Sequence, residues 1–195
     1  MELLTHLGFE TGFTTKEIAS QKFKEARAGL EFDIRHPTCP FILKWPNFCD
    51  YADEVLQRED IVIEHIFIPV RDLKAAAESR RFVHRSSFEK LSLLDKLKYR
   101  IKPWVFPGGL WRTTSDDPGR QEAVLLNQVY KLMLAVSNAS IPLTFLHYPR
   151  ITRDAQYLFG KLQPIMNGAK FESFNTAFAQ TVRPELVHSF TDADR

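Results

Sequence analysis

The stretch that decides the fold reads Ile66-Phe67-Ile68-Pro69-Val70-Arg71-Asp72-Leu73-Lys74-Ala75-Ala76-Ala77-Glu78-Ser79. Its first half is apolar and contains residues that favour strands, whereas its second half contains residues that favour helices. Asp72 lies where its side chain can cap the helix by accepting a backbone hydrogen bond. The stretch therefore predicts a strand that stops at Arg71 and continues directly into a helix.

Arg71 and Ser79 are the candidate ligand-binding residues of this stretch. Open α/β sheets bind ligands at the carboxyl ends of their strands, and the first N–H groups of a helix attract anions. The planar guanidinium of Arg71 suits a phosphate held by two hydrogen bonds. The Ser79 hydroxyl, two turns along the helix, can donate to another phosphate oxygen. From its spacing alone, the pattern is more typical of a helix start with a solvated arginine, and a phosphate-bearing ligand is the alternative interpretation.

The composition is ordinary and limits the classes of function. A chain of 195 residues can bury one sizeable core, so we expect a single domain over residues 1–195. Lys and Arg number 26 against 24 Asp and Glu, and this weak net charge disfavours nucleic-acid binding by bulk charge. No apolar run approaches the roughly 20 residues of a membrane span. Cys39 and Cys49 lack metal-type spacing, which indicates reduced thiols in a cytoplasmic protein.

Helical and strand patterns alternate along the chain. This order predicts an α/β fold with a mainly parallel sheet and helices on both faces. The predicted strands are 41–45, 61–70 and 141–147. The predicted helices are 2–6, 16–29, 48–57, 73–81, 87–101, 121–137, 154–166 and 171–181. A stripe of phenylalanines at positions 171, 174 and 178 indicates core packing of the last helix. Residues 102–120, rich in proline, glycine and aromatics, are predicted to form a lid or binding loop.

The order of these segments resembles the sulfotransferases that use 3′-phosphoadenosine 5′-phosphosulfate (PAPS). Arg71 and Ser79, eight residues apart after a hydrophobic strand, resemble the family's pair that binds the donor's 3′-phosphate. Residues 41–46 resemble the strand with a Lys-x-Pro ending in bacterial members, and residues 146–158 resemble the late strand and helix. The resemblance spans about residues 1–185. It implies a three-layer, P-loop-containing nucleoside triphosphate hydrolase-like architecture.

The resemblance also implies roles for other residues. Lys44 would stabilise charge on the oxygen that bridges sulfur and phosphorus. Where many family members have a catalytic histidine, this chain has Pro46, so Glu31 is the first candidate for the base that takes the acceptor's proton. Other candidate bases are Glu10, His36, His65, His84 and His147. The implied donor is PAPS, the acceptor is a hydroxyl of a glycan or small metabolite, and no metal is implied.

The chain departs from the family at the loop that holds the donor's phosphosulfate. Family members begin with a strand followed by a loop rich in Gly, Ser and Thr. Residues 11–16 contain these residue types, but no predicted strand precedes them and the glycine spacing differs. Residues 1–8 instead resemble the helix that follows the loop. We therefore expect a chain that is N-terminally incomplete relative to the family and a native polypeptide that extends upstream.

Sulfuryl transfer from PAPS is the favoured function, and two alternatives remain open. One is a nucleotide-dependent phosphotransferase of related fold, which would need a Gly-x-x-x-x-Gly-Lys-Ser/Thr loop. The other is a non-catalytic sulfotransferase-like protein that binds a partner or metabolite. Variable loops build the acceptor pockets of such folds, so the sequence leaves the acceptor open. The oligomeric state is open as well.

Overall fold

The structure, a computed structural model, describes residues 1–18, 22–23, 28–96 and 120–190, with the backbone alone at 22, 23, 28 and 87. The helices are α1 (Glu2–His6), α2 (Phe48–Leu56), α3 (Leu73–Glu89), α4 (Gln121–Asn138), α5 (Ala155–Lys161) and α6 (Phe171–Thr181). The strands are β1 (Lys22–Phe23), β2 (Ala28–Gly29), β3 (Ile66–Val70) and β4 (Leu143–His147). Shorter helical turns lie at residues 93–96, Arg150–Thr152, Gln163–Ile165 and Pro184–Leu186.

The described residues form two compact units. The first draws its described residues from Met1–Lys22, Gly29–Arg71 and Tyr130–Val187. The second draws them from Phe23–Ala28, Asp72–Val129 and His188–Arg195. The chain is a mixed α/β protein. A single domain over residues 1–195 stays a prediction, because a division into compact units does not test it.

Parallel pairing of β3 with β4 organises the first unit. The register runs from Ile66 opposite Leu143 to Val70 opposite His147. Hydrogen bonds close both ends of the ladder: Ile66 N–H donates to the Pro142 carbonyl at 3.0 Å, and Tyr148 N–H donates to the Val70 carbonyl at 2.7 Å. The predicted parallel arrangement is therefore confirmed for this pair. The three-layer P-loop architecture stays a prediction.

The position of Pro69 follows from the same ladder. In a parallel pair, alternate residues direct their N–H and C=O groups to the neighbouring strand. Ile66 and Val70 bond to the residues that flank β4 on that side, so Phe67 and Pro69 direct their backbone groups to the opposite edge of β3. Proline has no N–H, and at this position none is needed by the ladder. Pro69 also removes a donor that another strand would need in order to pair along that edge.

The core of the first unit lies between β4, α1, α5 and α6. Its buried side chains are Leu3, Leu146, Leu158, Leu162, Met166, Phe174, Ala177 and Phe178. Phe174 is fully buried, Phe178 is buried, and Phe171 packs against the cluster from a partly buried position. The prediction that the phenylalanine stripe of α6 packs into the core is confirmed.

The segment after α1 is tied into the first unit by small and polar residues. Gly8, at φ +82°, lies just beyond the end of α1, as glycines in the left-handed region commonly do. The buried Thr11 hydroxyl shares a 2.7 Å hydrogen bond with the Thr5 hydroxyl of α1. Gly12, at φ +75°, lies against Phe32 and Pro40. This segment, which contains the residue types of a phosphate loop, thus uses Thr11 and Gly12 for packing.

Two predictions of strand and helix in the first half of the chain are wrong. Residues 22–23 and 28–29, predicted as helix, are strands β1 and β2. Residues 41–45, predicted as a strand, form no strand. They are held instead by single backbone bonds, from Ile42 N–H to the Glu10 carbonyl and from Phe32 N–H to the Lys44 carbonyl. Prolines at both ends of this short run restrict its backbone and favour such an irregular path.

Other predicted elements exist with different ends. The strand predicted over 61–70 is paired only over Ile66–Val70. The helix predicted over 73–81 continues to Glu89, because no proline or glycine interrupts it. The helix predicted from residue 87 is therefore wrong at its start, and its end lies outside the described residues. The helix predicted over 154–166 ends at Lys161, since Pro164 lies in the 3₁₀ turn that follows.

The remaining helix and strand predictions are confirmed within two residues at each end. These are the helices at 2–6, 48–57, 121–137 and 171–181 and the strand at 141–147. The first turn of α3 also forms as predicted. The Asp72 side chain accepts a 2.8 Å hydrogen bond from Ala75 N–H and caps the helix.

Three glycine substitutions test the backbone argument. A Cβ at Gly12 would lie 3.1 Å from both Phe32 Cε2 and Pro40 Cγ. We expect Gly12→Ala to lower the free energy of unfolding by about 2–3 kcal/mol, through backbone strain and overpacking. Gly8 has the same strained backbone but open space, so Gly8→Ala should cost about 1 kcal/mol.

Gly160 is the control, because it is helical and a Cβ there meets nothing within 4 Å. Gly160→Ala should raise stability by about 0.5 kcal/mol through helix propensity. Denaturant unfolding of the three variants gives the comparison. Equal stabilities for the Gly12 and Gly8 variants would contradict the packing contribution at Gly12.

Candidate functional site

Arg71 lies at the carboxyl edge of the parallel strand pair. It follows Val70 of β3, and Tyr148 follows His147 of β4, which is opposite Val70 in the register. The guanidinium carbon of half-buried Arg71 lies 4.9 Å from the centre of the Tyr148 ring. Stacking uses the face of a guanidinium, whereas its five N–H donors lie in the plane. Arg71 is therefore oriented by an aromatic ring at the edge where α/β sheets bind ligands.

Further cations lie beyond the end of β4. His147 N–H donates to the Tyr157 hydroxyl at 2.9 Å. The Tyr157 ring centre lies 4.1 Å from the guanidinium carbon of Arg150 and 5.8 Å from Nζ of Lys161. Asp154 is the carboxylate of this group, and it accepts hydrogen bonds from Tyr157 N–H at 2.8 Å and Arg150 Nε at 2.9 Å. These two bonds hold the pKa of Asp154 below its ordinary value.

The charges of this sheet end add to a positive edge. Among the residues in these contacts, Arg71, Arg150 and Lys161 are cationic, and Asp154, which pairs with Arg150, is anionic. The aromatic rings of Tyr148 and Tyr157 fix the positions of the cations. Such an edge attracts an anion with more than one negative charge.

Ser79 lies on α3, half-buried and two turns into the helix. Arg71 is the last residue of its segment of the first unit, and Asp72 begins a segment of the second. Ser79 thus belongs to the second unit. Joint binding of one phosphate by Arg71 and Ser79 stays a prediction.

Lys44 and Glu31 are in direct contact. Lys44 Nζ donates to Glu31 Oε1 at 2.9 Å and to the Gly29 carbonyl at 3.1 Å. The backbone bond from Phe32 N–H to the Lys44 carbonyl, 3.0 Å long, holds the two segments side by side. Both side chains are accessible, with exposed fractions of 40% and 39%. The structure therefore brings the two candidate catalytic residues together as an ammonium–carboxylate pair open to solvent.

Several other candidate bases have different surroundings. His65 Nε2 shares a 2.8 Å hydrogen bond with the Thr144 hydroxyl, and its ring stacks on Phe67. His36 Nδ1 lies 2.9 Å from the Thr38 hydroxyl. Glu10 and His147 are exposed, and His84 is half-buried on α3. Glu31 lies in direct contact with Lys44, and the identity of the base stays a prediction.

Arg81 of the basic cluster on α3 is neutralised by two carboxylates. Its Nη1 donates to Glu78 Oε1 at 2.7 Å and to Glu122 Oε1 at 2.9 Å, and its Nη2 donates to Glu122 Oε2. The hydrogen bonding between Arg81 and Glu122 raises the pKa of Arg81 and lowers the pKa of Glu122. Arg81 thus joins α3 to α4 within the second unit, and its charge is committed to that contact.

The acid stability of the protein tests this pairing. Arg81 lowers the pKa of Glu122 in the folded protein relative to the unfolded chain. The pair therefore contributes fully to the free energy of unfolding above the unfolded-state pKa of Glu122. That contribution is lost as the pH falls through the folded-state pKa. Glu122→Gln should therefore lower the free energy of unfolding by about 1 kcal/mol near pH 7. The difference from wild type should shrink below pH 4, which denaturant titrations across pH can measure. Glu64→Gln, on an exposed residue before β3, is the control, and an equal loss in both variants contradicts a specific pair.

An aromatic cluster around Arg35 was missed by the sequence analysis. The Arg35 guanidinium carbon lies 4.1 Å from the Tyr51 ring centre and 5.0 Å from that of Trp45. The two rings are parallel within 6° at a centroid distance of 5.5 Å. Arg35 donates from Nε to Asp33 Oδ1 at 3.0 Å and from Nη2 to Asp33 Oδ2 at 2.7 Å. Its Nη1 donates to Glu54 Oε1 at 3.3 Å. The hydrogen bonding between Arg35 and Asp33 raises the pKa of Arg35 and lowers the pKa of Asp33.

No sequence signal identified this cluster, because its members come from three separate segments. Asp33-x-Arg35 is a common local pattern, and Trp45 follows the run that was predicted as a strand. Tyr51 lies on α2, far enough from Arg35 in sequence that no local pattern joins the two. The backbone bond from Phe32 N–H to the Lys44 carbonyl joins residues 31–35 to the segment that contains Trp45, and this contact is seen only in the structure.

Within residues 1–18, 22–23, 28–96 and 120–190, no group of three or more His, Cys, Asp or Glu side chains is placed to hold a metal ion. In the same part of the chain, no helix combines the length and apolar character needed to cross a membrane. The predicted lid over 102–120 lies outside the described residues except for Arg120. Comparison with protein-family models, curated proteins and solved structures finds no significant match to this chain.

Proposed function

We propose that this protein binds PAPS and transfers its sulfuryl group to an acceptor hydroxyl. The observation that carries the proposal is Arg71, held by Tyr148 at the carboxyl edge of the β3–β4 pair. A guanidinium can pair with two oxygens of a phosphate through two parallel N–H bonds. The resemblance to sulfotransferases gives the phosphate its identity as the donor's 3′-phosphate, with Ser79 as the second ligand.

The charge of the same edge supports an anionic donor. PAPS carries a 3′-phosphate and a 5′-phosphosulfate, so it is highly negative at neutral pH. Arg150 and Lys161, which lie against the Tyr157 ring beyond the end of β4, add positive charge at the carboxyl end of this strand. Such a potential raises the local concentration and the association rate of an anion, and it weakens with added salt.

Lys44 and Glu31 supply the chemical step of the proposed reaction. The acceptor oxygen attacks sulfur while the bond from sulfur to the 5′-phosphate oxygen breaks, and its electron pair stays on that oxygen. Glu31 takes the proton of the acceptor hydroxyl, and the Lys44 ammonium stabilises the charge that develops on the departing oxygen. The products are a sulfate ester and 3′-phosphoadenosine 5′-phosphate.

Binding of 3′-phosphoadenosine 5′-phosphate tests the donor site. Arg71→Ala should weaken binding by about 2–4 kcal/mol through loss of a charge-assisted pair, and Ser79→Ala should weaken it by about 1 kcal/mol. Arg58→Ala is the matched control, because Arg58 pairs with Asp60 on the surface. Calorimetry on the three variants and the wild type measures the effects. If Arg71→Ala binds 3′-phosphoadenosine 5′-phosphate with wild-type affinity, the donor does not bind at this edge of the sheet.

Transfer from labelled PAPS to a panel of hydroxyl acceptors tests the catalytic pair. Glu31→Gln should reduce turnover by about 10²- to 10⁴-fold, because the amide cannot take the proton. Lys44→Ala should reduce turnover as well, and Glu31→Gln should leave the affinity for 3′-phosphoadenosine 5′-phosphate within about twofold of wild type. Glu17→Gln, on an exposed carboxylate bonded to Thr14, is the control. Donor binding with no transfer to any acceptor would favour the non-catalytic alternative.

A further inference from the structure

Leu30, which directly precedes Glu31, has an unusual backbone conformation. Its φ is +55°, in the left-handed region that a bulky side chain disfavours. Among the described residues other than glycine, Ser140 and Asn167 also have a positive φ, and both are exposed in turns. Leu30, by contrast, is only 7% exposed. A buried leucine keeps this conformation only when the structure around it holds it there.

The two residues that flank Leu30 contact one ammonium group. Lys44 Nζ donates to the Gly29 carbonyl at 3.1 Å and to Glu31 Oε1 at 2.9 Å. Turning φ of Leu30 to about −120°, an ordinary extended value, would rotate Glu31 by roughly half a turn relative to the Gly29 carbonyl. One ammonium could then no longer contact both groups. The left-handed conformation of Leu30 therefore allows Lys44 to bind both of its neighbours.

The backbone around Glu31 is anchored on both sides. Before it, the side chain of Leu30 is buried. After it, Phe32 N–H donates to the Lys44 carbonyl at 3.0 Å, and the Phe32 ring meets the Phe13 ring edge-on at 6.1 Å. The side chain of Glu31 itself is 39% exposed, and all of these residues belong to the first unit. The anchors thus fix the backbone while the carboxylate stays accessible.

We propose that Leu30 is a positioning residue for the Lys44–Glu31 pair. Burial of its side chain offsets an unfavourable backbone conformation, and that conformation directs the Gly29 carbonyl and the Glu31 carboxylate to the Lys44 ammonium. Backbone strain of this kind is concentrated at sites where a fixed geometry matters for function. The effect of Leu30 on turnover rests on the proposed function, whereas its effect on the position of Lys44 does not.

Substitutions at Leu30 separate its backbone conformation from its buried volume. Leu30→Val introduces a β-branched side chain, which strongly disfavours a positive φ. Leu30→Met keeps an unbranched Cβ and nearly the same volume. Leu146→Val is the matched control, because Leu146 is also 7% exposed and lies within β4, where φ is ordinary.

Transfer from labelled PAPS measures the catalytic consequence. Leu30→Val should lower turnover by about tenfold or more, and by more than it lowers the affinity for 3′-phosphoadenosine 5′-phosphate. Leu30→Met and Leu146→Val should keep turnover within about twofold of wild type. Because Leu30 acts through the pair, adding Leu30→Val to Glu31→Gln should reduce the residual turnover by no more than about twofold. A purely structural loss would reduce turnover equally in both backgrounds.

NMR of the Lys44 ammonium measures the position of this side chain without any turnover. The ¹⁵N order parameter of Lys44 Nζ should fall in Leu30→Val and keep its wild-type value in Leu30→Met and Leu146→Val. Circular dichroism identifies a variant that has lost its fold. If Leu30→Val does not fold, Leu30→Ala replaces it, because alanine also disfavours the left-handed region and lacks the buried anchor.

The outcomes separate this inference from the proposed function. A wild-type order parameter of Lys44 Nζ in Leu30→Val, or an equal fall in Leu146→Val, overturns the positioning role. Unchanged turnover in Leu30→Val of an active enzyme overturns it as well. If the order parameter falls in Leu30→Val alone and the wild type transfers no sulfuryl group to any acceptor, Leu30 positions the pair and the proposed transfer fails.

Discussion

Parallel pairing of β3 with β4 is the constraint on which the candidate site depends. Two strands that run in the same direction end at the same edge, so residues that follow them meet there whatever their distance in sequence. The register between Val70 and His147 brings the Arg71 guanidinium over the Tyr148 ring. A shift of one residue would turn alternate side chains to the other face. It would separate Arg71 from Tyr148 and move Leu146 out of the core.

The sequence predicted the parts of the fold that local chemistry determines. The β3-to-α3 transition follows from an apolar run, Pro69 and the Asp72 cap, all of which act within a few residues of the backbone they affect. Residues 41–45 have the same local apolar character, yet their backbone bonds go to Glu10 and Phe32. Long-range bonds of this kind leave no local pattern. The extent of α3 was underestimated for a related reason, because helix ends without proline or glycine depend on tertiary contacts.

In the candidate site, too, the features set by local sequence were predicted and the contacts between distant residues were not. The position of Arg71 at the strand end was predicted, because a strand end followed by a capped helix is a local signal. Tyr148 was not predicted as its partner, since their contact requires the register of two strands that are distant in sequence. Lys44 and Glu31 were nominated separately by a family resemblance, and their 2.9 Å contact came from the fold. The Arg35 cluster was missed, because Asp33, Trp45 and Tyr51 carry no shared sequence signal.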